Sequence, residues 1–475
     1  MSNIDVILAY PPLSLEERYG ELAPAGHVSP PLSIIALAAY IREKGYKVEV
    51  VDCETLNLDS KKAADYIADK NPPFVGLTAC TMSIDSAGTL AKLIKDRNKD
   101  ITTVIGGVHV SAIPEETMSS FPHFDIGVLN EGELTFHEII EKKKASEEID
   151  GIIFRDNGKQ IITGPRERIK DLDILPLPAW DLLPSLTRFY RPAAHLIGRF
   201  PTTTITTSRG CAAKCTFCDR SVFGNRVTAH SARYVVDIMK HLHTKYGVRD
   251  IVMGDDNFVV LRSRLKEICE LLIKENLELT WSCFTRIHYL TPPILELMKK
   301  SRCHEIAFGI ETASQKTLDF LKKGIKLDQA VIDLKNTKNA KIRTSGFFMI
   351  GIPSETVQDI QNTIDFAKRV KLDMLQLSFF TPFPGDEIYP EIHKYGKLES
   401  NYSHMSAFRI LFEPKGISKD TLMKYYRKAY REFYLRPKTI ISFISQQEKI
   451  TNLFKFWKVF IALIKLAFPL PWKKR

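Results

Sequence analysis

Three cysteines, Cys211, Cys215 and Cys218, stand at a C-x3-C-x2-C spacing in the stretch Thr207-Ser208-Arg209-Gly210-Cys211-Ala212-Ala213-Lys214-Cys215-Thr216-Phe217-Cys218. Thiols so close along a chain serve one metal centre. Three thiolates hold three irons of a cubane, whereas a cubane with a complete protein shell takes four cysteines. Three ligands therefore leave one iron with an open coordination position, which a metal needs in order to act on a bound molecule. The alternative is a structural zinc, which requires a fourth ligand; His230 and Cys283 are the candidates. The loop follows a strand candidate, Thr203–Thr207, and carries an aromatic, Phe217, before its last cysteine.

Other chemistry-bearing residues lie downstream at the ends of apolar runs. Gly254-Asp255-Asp256 follows Asp250–Met253, and Arg286 follows Trp281–Phe284. Glu311 ends the run Glu305–Ile310 within Phe308–Ser314, and a carboxylate directly after a buried strand is costly without a partner. Gly346–Ser354 (GFFMIGIPS) and Thr381–Gly385 (TPFPG) complete the set.

Together these motifs resemble the radical S-adenosylmethionine (SAM) superfamily. The resemblance implies a [4Fe–4S] cluster on Cys211, Cys215 and Cys218 whose open iron chelates the amino and carboxylate groups of SAM. One electron then cleaves SAM to a 5′-deoxyadenosyl radical that abstracts hydrogen from a substrate. It implies that Phe217 flanks the cofactor. Asp256 accepts the SAM amino group, where the superfamily often has Gly-Gly-Glu. Glu311 binds SAM, Gly351 lies in the adenine-contacting turn, and Arg286 contacts SAM or substrate. A low-potential electron donor such as ferredoxin or flavodoxin follows as a partner.

The elements that position these residues are legible as a pattern. Residues 1–142 alternate short strand-like runs (Asp5–Tyr10, Lys47–Asp52, Phe74–Thr78, Ile101–Ile105, Asp125–Leu129) with helical stretches (Pro31–Glu43, Ser86–Lys95, Glu133–Glu141). This alternation predicts an α/β domain with a doubly wound parallel sheet, which binds ligands at the carboxyl ends of its strands. Residues 143–198, with a charge run and a proline-rich stretch, are expected to be a linker packed between domains. Residues 199–392 resume the alternation with about six βα units, predicting a partial TIM-type barrel. Ser263 is the expected N-cap of a helix over Ser263–Glu275. Residues 393–475 are expected to be a small helical region.

A doubly wound domain ahead of such a barrel resembles the cobalamin (B12)-binding radical SAM family, in its methyltransferase and anaerobic cyclase-like branch. The matching pieces are Gly76-Leu77-Thr78-Ala79-Cys80-Thr81, Gly106-Gly107-Val108-His109-Val110-Ser111 and Asn130-Glu131-Gly132-Glu133. The resemblance implies that Thr78, Thr81, Gly106, Gly107, His109, Glu131 and Gly132 contact cobalamin. Glycines allow close backbone approach to a flat macrocycle. His109 has no Asp two residues before it and no Gly three after, so no D-x-H-x-x-G ligates cobalt from below. His109 is expected to be a polar loop residue near the cofactor.

The 475-residue chain is long enough for about two to four domains. Its 44% hydrophobic and 26% charged content suits a globular protein. The net charge of +11 favours anionic partners without choosing among them. The N-terminus lacks the pattern of a signal peptide, and eight cysteines suit a reducing compartment, so the expected location is cytoplasmic. No stretch of about 18 uninterrupted apolar residues is present. Tyr425–Pro437 is a basic, aromatic helix resembling one in the cyclase-like branch, packing on the barrel or lining a substrate pocket. In residues 451–468 Thr451, Lys455, Lys458, Ala462 and Lys465 share one face, apolar residues cover most of the rest, and Lys473-Lys474-Arg475 ends the chain. That pattern predicts a helix lying in the inner membrane interface, with residues 451–475 as a peripheral contact.

The expected activity is functionalisation of an unactivated carbon on an apolar or lipid-like substrate, foremost by methyl transfer from cobalamin. Oxidative cyclisation or rearrangement is the alternative. A cobalamin-binding sensor and a tRNA methylthiotransferase are more remote. The latter would carry a second cysteine trio in the N-terminal domain, where only Cys53 and Cys80 occur, so no nucleic-acid partner is expected.

Overall fold

The computed structural model describes residues 4–192, 196–287 and 290–437. Its first sheet is built from β1 (Val6–Tyr10), β2 (Val48–Asp52), β3 (Phe74–Thr78), β4 (Thr102–Gly106), β5 (Ile126–Val128), β6 (Ile152–Asp156) and β7 (Lys159–Ile162), in the order β2-β1-β3-β4-β5-β6-β7. The first five strands are parallel. The helices of this half are α1 (Leu15–Tyr19), α2 (Leu32–Glu43), α3 (Ser60–Lys70), α4 (Ile84–Arg97), α5 (Val108–Ala112), α6 (Pro114–Ser120) and α7 (Glu133–Lys142). Helices on both faces explain why β1 is apolar without alternation. Val6 and Leu8 join the core under α2 and α7, while Ile7 and Ala9 join the opposite core under α3 and α4.

Residues 143–198 are more than a linker. They supply the antiparallel strands β6 and β7 to the sheet edge, joined through Asn157 and Gly158, both at positive φ, as a tight hairpin turn requires. The following stretch folds back along α2. The Ala179 amide donates to the Ile35 carbonyl, and Arg42 of α2 forms two hydrogen bonds with Asp181. The short helix α8 (Leu186–Phe189) leads to the second half.

The second sheet contains β8 (Thr202–Ile205), then, after the two-residue antiparallel pair β9 (Ser208–Arg209) and β10 (Thr228–Ala229), β11 (Asp250–Met253), β12 (Thr280–Arg286), β13 (Cys303–Glu311), β14 (Arg343–Ile350) and β15 (Met374–Phe379). The six long strands are parallel in the order β15-β14-β13-β12-β11-β8, the half-barrel that the alternation predicts. Helices α9 (Ala232–Tyr246), α10 (Arg262–Glu275), α11 (Pro292–Lys300), α12 (Gln315–Phe320), α13 (Leu327–Asn339) and α14 (Val357–Arg369) connect them. Helix α10 begins at Arg262, so Ser263 lies inside it, not at its cap. Val252, Ala307, Phe284 and Phe347 form a separate small core with Leu196.

The last described helix, α15 (Lys419–Tyr434), packs on β15. Tyr426, Tyr430, Phe433 and Tyr434 are buried in the main core of this half. The Tyr434 hydroxyl accepts from the Leu375 amide at 3.2 Å and donates to the Leu375 carbonyl at 2.6 Å; Tyr430 bonds Leu377 in the same way, at 3.4 and 3.3 Å. Residues 451–475, expected as an interfacial helix, lie outside the described residues. Among the described residues no helix is long and apolar enough to cross a membrane.

Candidate active site

The cysteine loop leaves the end of β8 and is pinched at its neck by β9 and β10. Gly210, at φ +82°, opens it. A Cβ there would lie 2.3 Å from the Arg226 carbonyl oxygen, so no other residue fits. The neck is anchored from below by Asp255, which is 1% exposed. Its carboxylate accepts from the Thr207 amide (2.5 Å), the Thr207 hydroxyl (2.6 Å) and the Ser208 hydroxyl (2.7 Å). Arg264 donates to the Thr207 carbonyl (2.8 Å) and hydroxyl (2.7 Å). Of the two carboxylates in Gly254-Asp255-Asp256, Asp255 thus builds the loop, while Asp256 is exposed beside it.

Cys215 is buried, Cys211 half-buried and Cys218 exposed at the rim. Desolvation, then the negative fields of Cys215, Asp256, Asp386 and Cys211, push the Cys218 thiol up to about 12. The crowded Cys218 thiol thus disfavours its own ionisation, and a cationic iron core reverses that balance. The donor set therefore fits an iron–sulfur cluster. Of the two candidate fourth ligands for zinc, Cys283 is fully buried in β12, and His230 bonds Asp173 at 3.1 Å and stacks on Tyr234 at 3.8 Å.

Glu311 ends β13 at a bulge, with φ +73°. Its carboxylate pairs with the buried ammonium of Lys323 at 2.5 Å, and that ammonium lies 5.8 Å from the Phe217 ring. Gly309 leaves room for the pair, since a Cβ there would meet Glu311 Oε1 at 3.0 Å and Lys323 Nζ at 3.2 Å. The Arg286 guanidinium is 3.8 Å from the point where a Cβ on Gly324 would stand, next to Lys323. Phe217 and Glu311 thus meet at Lys323, a residue that sequence reasoning missed, and Arg286 lies near the adjacent Gly324. Gly351, at φ +81°, packs on Leu422 of α15 instead, and its amide donates to Glu355. Burial pushes the Glu355 carboxyl up to about 8.

A cavity of about 490 Å3 opens where the carboxyl ends of β1, β3 and β4 face the neck of the cysteine loop. Thr78, Gly106, Gly107, Glu131 and Gly132 line it from the first half, and Ser208, Arg209 and Phe223 from the second. Gly107 is at φ +105°, and a Cβ there would lie 2.7 Å from the Ala79 carbonyl oxygen. Arg209 crosses between the halves. It bonds Glu131 at 2.7 Å and Glu133 at 2.5 Å. Glycine edges, an apolar interior and a rim of carboxylates and hydroxyls suit a flat macrocycle edged with amides.

Two expected contacts are not brought there. Thr81 and His109 are buried and do not line the cavity. His109 is no loop residue; it lies within α5, 1% exposed, with Nδ1 3.3 Å from the Thr81 hydroxyl and the Tyr402 ring edge-on at 5.0 Å. Desolvation lowers its pKa to about 4, because a buried imidazolium would lack a partner.

Comparison with known proteins agrees with this geometry. Residues 205–367 match the radical SAM superfamily and residues 22–140 the B12 binding domain. The chain is 34% identical over 421 residues to an uncharacterised methyltransferase of Pyrococcus horikoshii, covering 88% of this chain and 90% of that one. It is 26% identical to the anaerobic magnesium-protoporphyrin IX monomethyl ester cyclase of Rubrivivax gelatinosus, covering 86% of this chain and 74% of that one. The fold is shared with the radical SAM methyltransferase TsrM of Kitasatospora setae, solved with cobalamin and a [4Fe–4S] cluster bound (TM-score 0.66, 18% identity, 83% of this chain and 75% of that one). It is also shared with the cobalamin-dependent SAM radical enzyme OxsB, solved with aqua-cobalamin and SAM (TM-score 0.66, 21% identity, 82% and 55%). The chain therefore belongs to the cobalamin-binding radical SAM enzymes, with a [4Fe–4S] cluster, SAM and cobalamin as its cofactors.

Proposed function

We propose that this enzyme transfers a methyl group to an unactivated carbon of an apolar or lipid-like substrate. The observation that carries this reading is the shared wall between the two cofactor sites. Ser208 and Arg209 line the cavity, and Cys211 begins the cluster loop two residues later. When bound, the cluster and SAM supply hydrogen abstraction and cobalamin supplies the methyl group. The chain's own residues hold and align these parts. Cys211, Cys215 and Cys218 hold the cluster, Asp256 accepts from the SAM amino group, and Glu311, kept in place by Lys323, binds SAM beside Arg286 and Phe217. Thr78, Gly106, Gly107, Glu131 and Gly132 receive cobalamin. The apolar layer of Val252, Phe284, Ala307 and Phe347 supports an apolar substrate. The lysine stripe of residues 451–468 supports a peripheral membrane contact, and a low-potential ferredoxin or flavodoxin is the reductant.

Cyclisation or rearrangement is the second reading, favoured by the 26% identical cyclase relative. Protein purified without oxygen, assayed for iron and corrinoid, is incubated with reductant, membrane lipid extract and SAM carrying a 13C-methyl group. Label in a lipid product supports methyl transfer. Formation of 5′-deoxyadenosine with an unlabelled product supports cyclisation. Cys215→Ala loses both, and protein without iron refutes either reading. Liposome co-sedimentation with and without residues 450–475 tests the membrane contact, which equal binding refutes.

A further inference from the structure

Three helix-to-strand turns of the second half repeat one pattern. They read Lys299-Lys300-Ser301-Arg302 after α11, Lys338-Asn339-Ala340-Lys341 after α13 and Lys368-Arg369-Val370-Lys371 after α14. In each, the amide of the last residue donates to the carbonyl of the first, at 3.0, 2.9 and 3.2 Å. Arg302, Lys341 and Lys371 stand there at φ +69°, +57° and +55°. That left-handed backbone favours glycine or asparagine, because a Cβ crowds the following carbonyl. The turns after α9 and α10 do use Gly247 and Asn276. Cations in a helix's last turn answer its dipole, and Lys299, Lys338 and Lys368 do so already. The turn geometry itself therefore does not call for the three further cations, which are kept at a steric cost.

The turns form one surface. The Lys299 ammonium bonds the Lys341 carbonyl at 2.8 Å, and Arg436, just past α15, bonds the Lys368 carbonyl at 3.3 Å. Burial lowers the Lys338 pKa, and the charges of Lys371 and Arg436 lower it further against the pull of Asp373. Lys341 and Lys371 are exposed and form no ion pair among the described residues. Carboxylates beside the turns are engaged. Asp373 accepts from the Thr344 amide at 2.8 Å, Glu432 pairs with Lys368 at 2.5 Å, and Glu305 is fully buried. This surface lies at the amino ends of β13, β14 and β15, opposite the strand ends that carry the cluster loop and Glu311. The described chain ends beside it at Pro437, and residues 438–475 continue with Glu448 as their one acidic residue.

We infer that this lysine-rich surface docks on an anionic lipid bilayer. The inference rests on the peripheral membrane contact proposed above, to which it adds a second, electrostatic footing. Like charges crowded around Lys338 repel one another, and anionic headgroups relieve that repulsion. The tail starts from this surface, so both contacts can meet one bilayer. The cofactor sites, at the other ends of the strands, then face away from it, toward a soluble reductant.

The test is binding of the full-length protein to vesicles of phosphatidylcholine alone and of phosphatidylcholine mixed equally with phosphatidylglycerol. Arg302→Asn/Lys341→Asn/Lys371→Asn removes three cations and gives each turn a residue that its backbone favours. Its thermal midpoint is expected at or above that of wild type, with iron content unchanged. Its affinity for the anionic vesicles should fall at least about tenfold, while binding to neutral vesicles stays the same. Raised salt should erase the difference between the two proteins. Wild-type affinity of the variant for the anionic vesicles overturns the inference and leaves the tail contact standing. Weakened binding to single-stranded RNA with anionic-vesicle binding unchanged also overturns it, in favour of a nucleic acid. A wild-type protein that binds neither vesicle overturns both the inference and the membrane reading. Lys300→Gln/Arg369→Gln, at the exposed ends of α11 and α14, answers the same question should the triple variant not fold.

Discussion

Arg209 Nη2 stands 2.5 Å from Glu133 Oε1, and these two residues belong to different halves of the molecule. Glu133 opens α7 of the first domain, whereas Arg209 precedes the first cluster cysteine by two positions. Both side chains are nearly sealed from water, at 14% and 7% exposure. The guanidinium fork spans Glu131 and Glu133 together, a geometry lysine cannot reproduce. Removing one partner of a buried pair strands the other charge and costs about 3–5 kcal/mol. Arg209→Leu should lower the thermal midpoint by several degrees and reduce corrinoid and iron content together. Thermal melts with iron and corrinoid assays check this; an unchanged melt would show that the bridge is dispensable.

Lys323 gives Glu311 its partner. Lys323→Met leaves that carboxylate buried without its cation, so its hold on SAM should weaken. The expected outcome is about a tenfold rise in the SAM dissociation constant at unchanged iron content. Lys323→Arg should recover part of the loss. Equilibrium binding of SAM to the reconstituted cluster protein is the measurement.

Gly107→Ala places a methyl group 2.7 Å from a backbone oxygen at φ +105°. The strain amounts to about 1–3 kcal/mol, at the lip of the cavity. Corrinoid binding should fall at least tenfold while the cluster, held by the other half, is retained. Retained corrinoid would mean that the lip yields.

His109 predicts an acid limb in stability. Its folded pKa of about 4 lies below the unfolded value of about 6.5, so the folded state resists protonation. The stabilisation is full above pH 6.5 and is lost as pH falls through 6.5 toward 4, to a limit of about 3 kcal/mol at 1.36 kcal/mol per unit. His109→Gln should flatten this limb relative to wild type. Thermal midpoints from pH 7.5 to 4.5 decide the matter, and parallel curves would exclude His109 as a contributor.

Much of this architecture was legible in the chain. The buried parallel strands announce themselves as apolar runs, and the cysteine spacing is local, so both survive without knowledge of the fold. Arg209 was visible beside the cysteines, but its partners lie 76 and 78 positions earlier, and no local pattern links them. Lys323 was hidden as the second of two lysines in an ordinary helix-to-helix connection. The β6–β7 hairpin did leave a signal, Asp156-Asn157-Gly158, a two-residue turn flanked by strand-forming residues. His109 misled because a loop glycine pair precedes it; burial behind Thr81 is a property of the tertiary fold alone.

The tyrosines of α15 have a consequence beyond packing. Six strands do not close a barrel, so β15 is left with a free row of amides and carbonyls, the template on which another chain's strand adds and from which aggregates grow. Tyr430 and Tyr434 occupy that row as a strand would, each hydroxyl answering both the amide and the carbonyl of one residue. A helix thus imitates a seventh strand with two phenols. The barrel thus stays open while the outer edge of its last strand is answered by side chains.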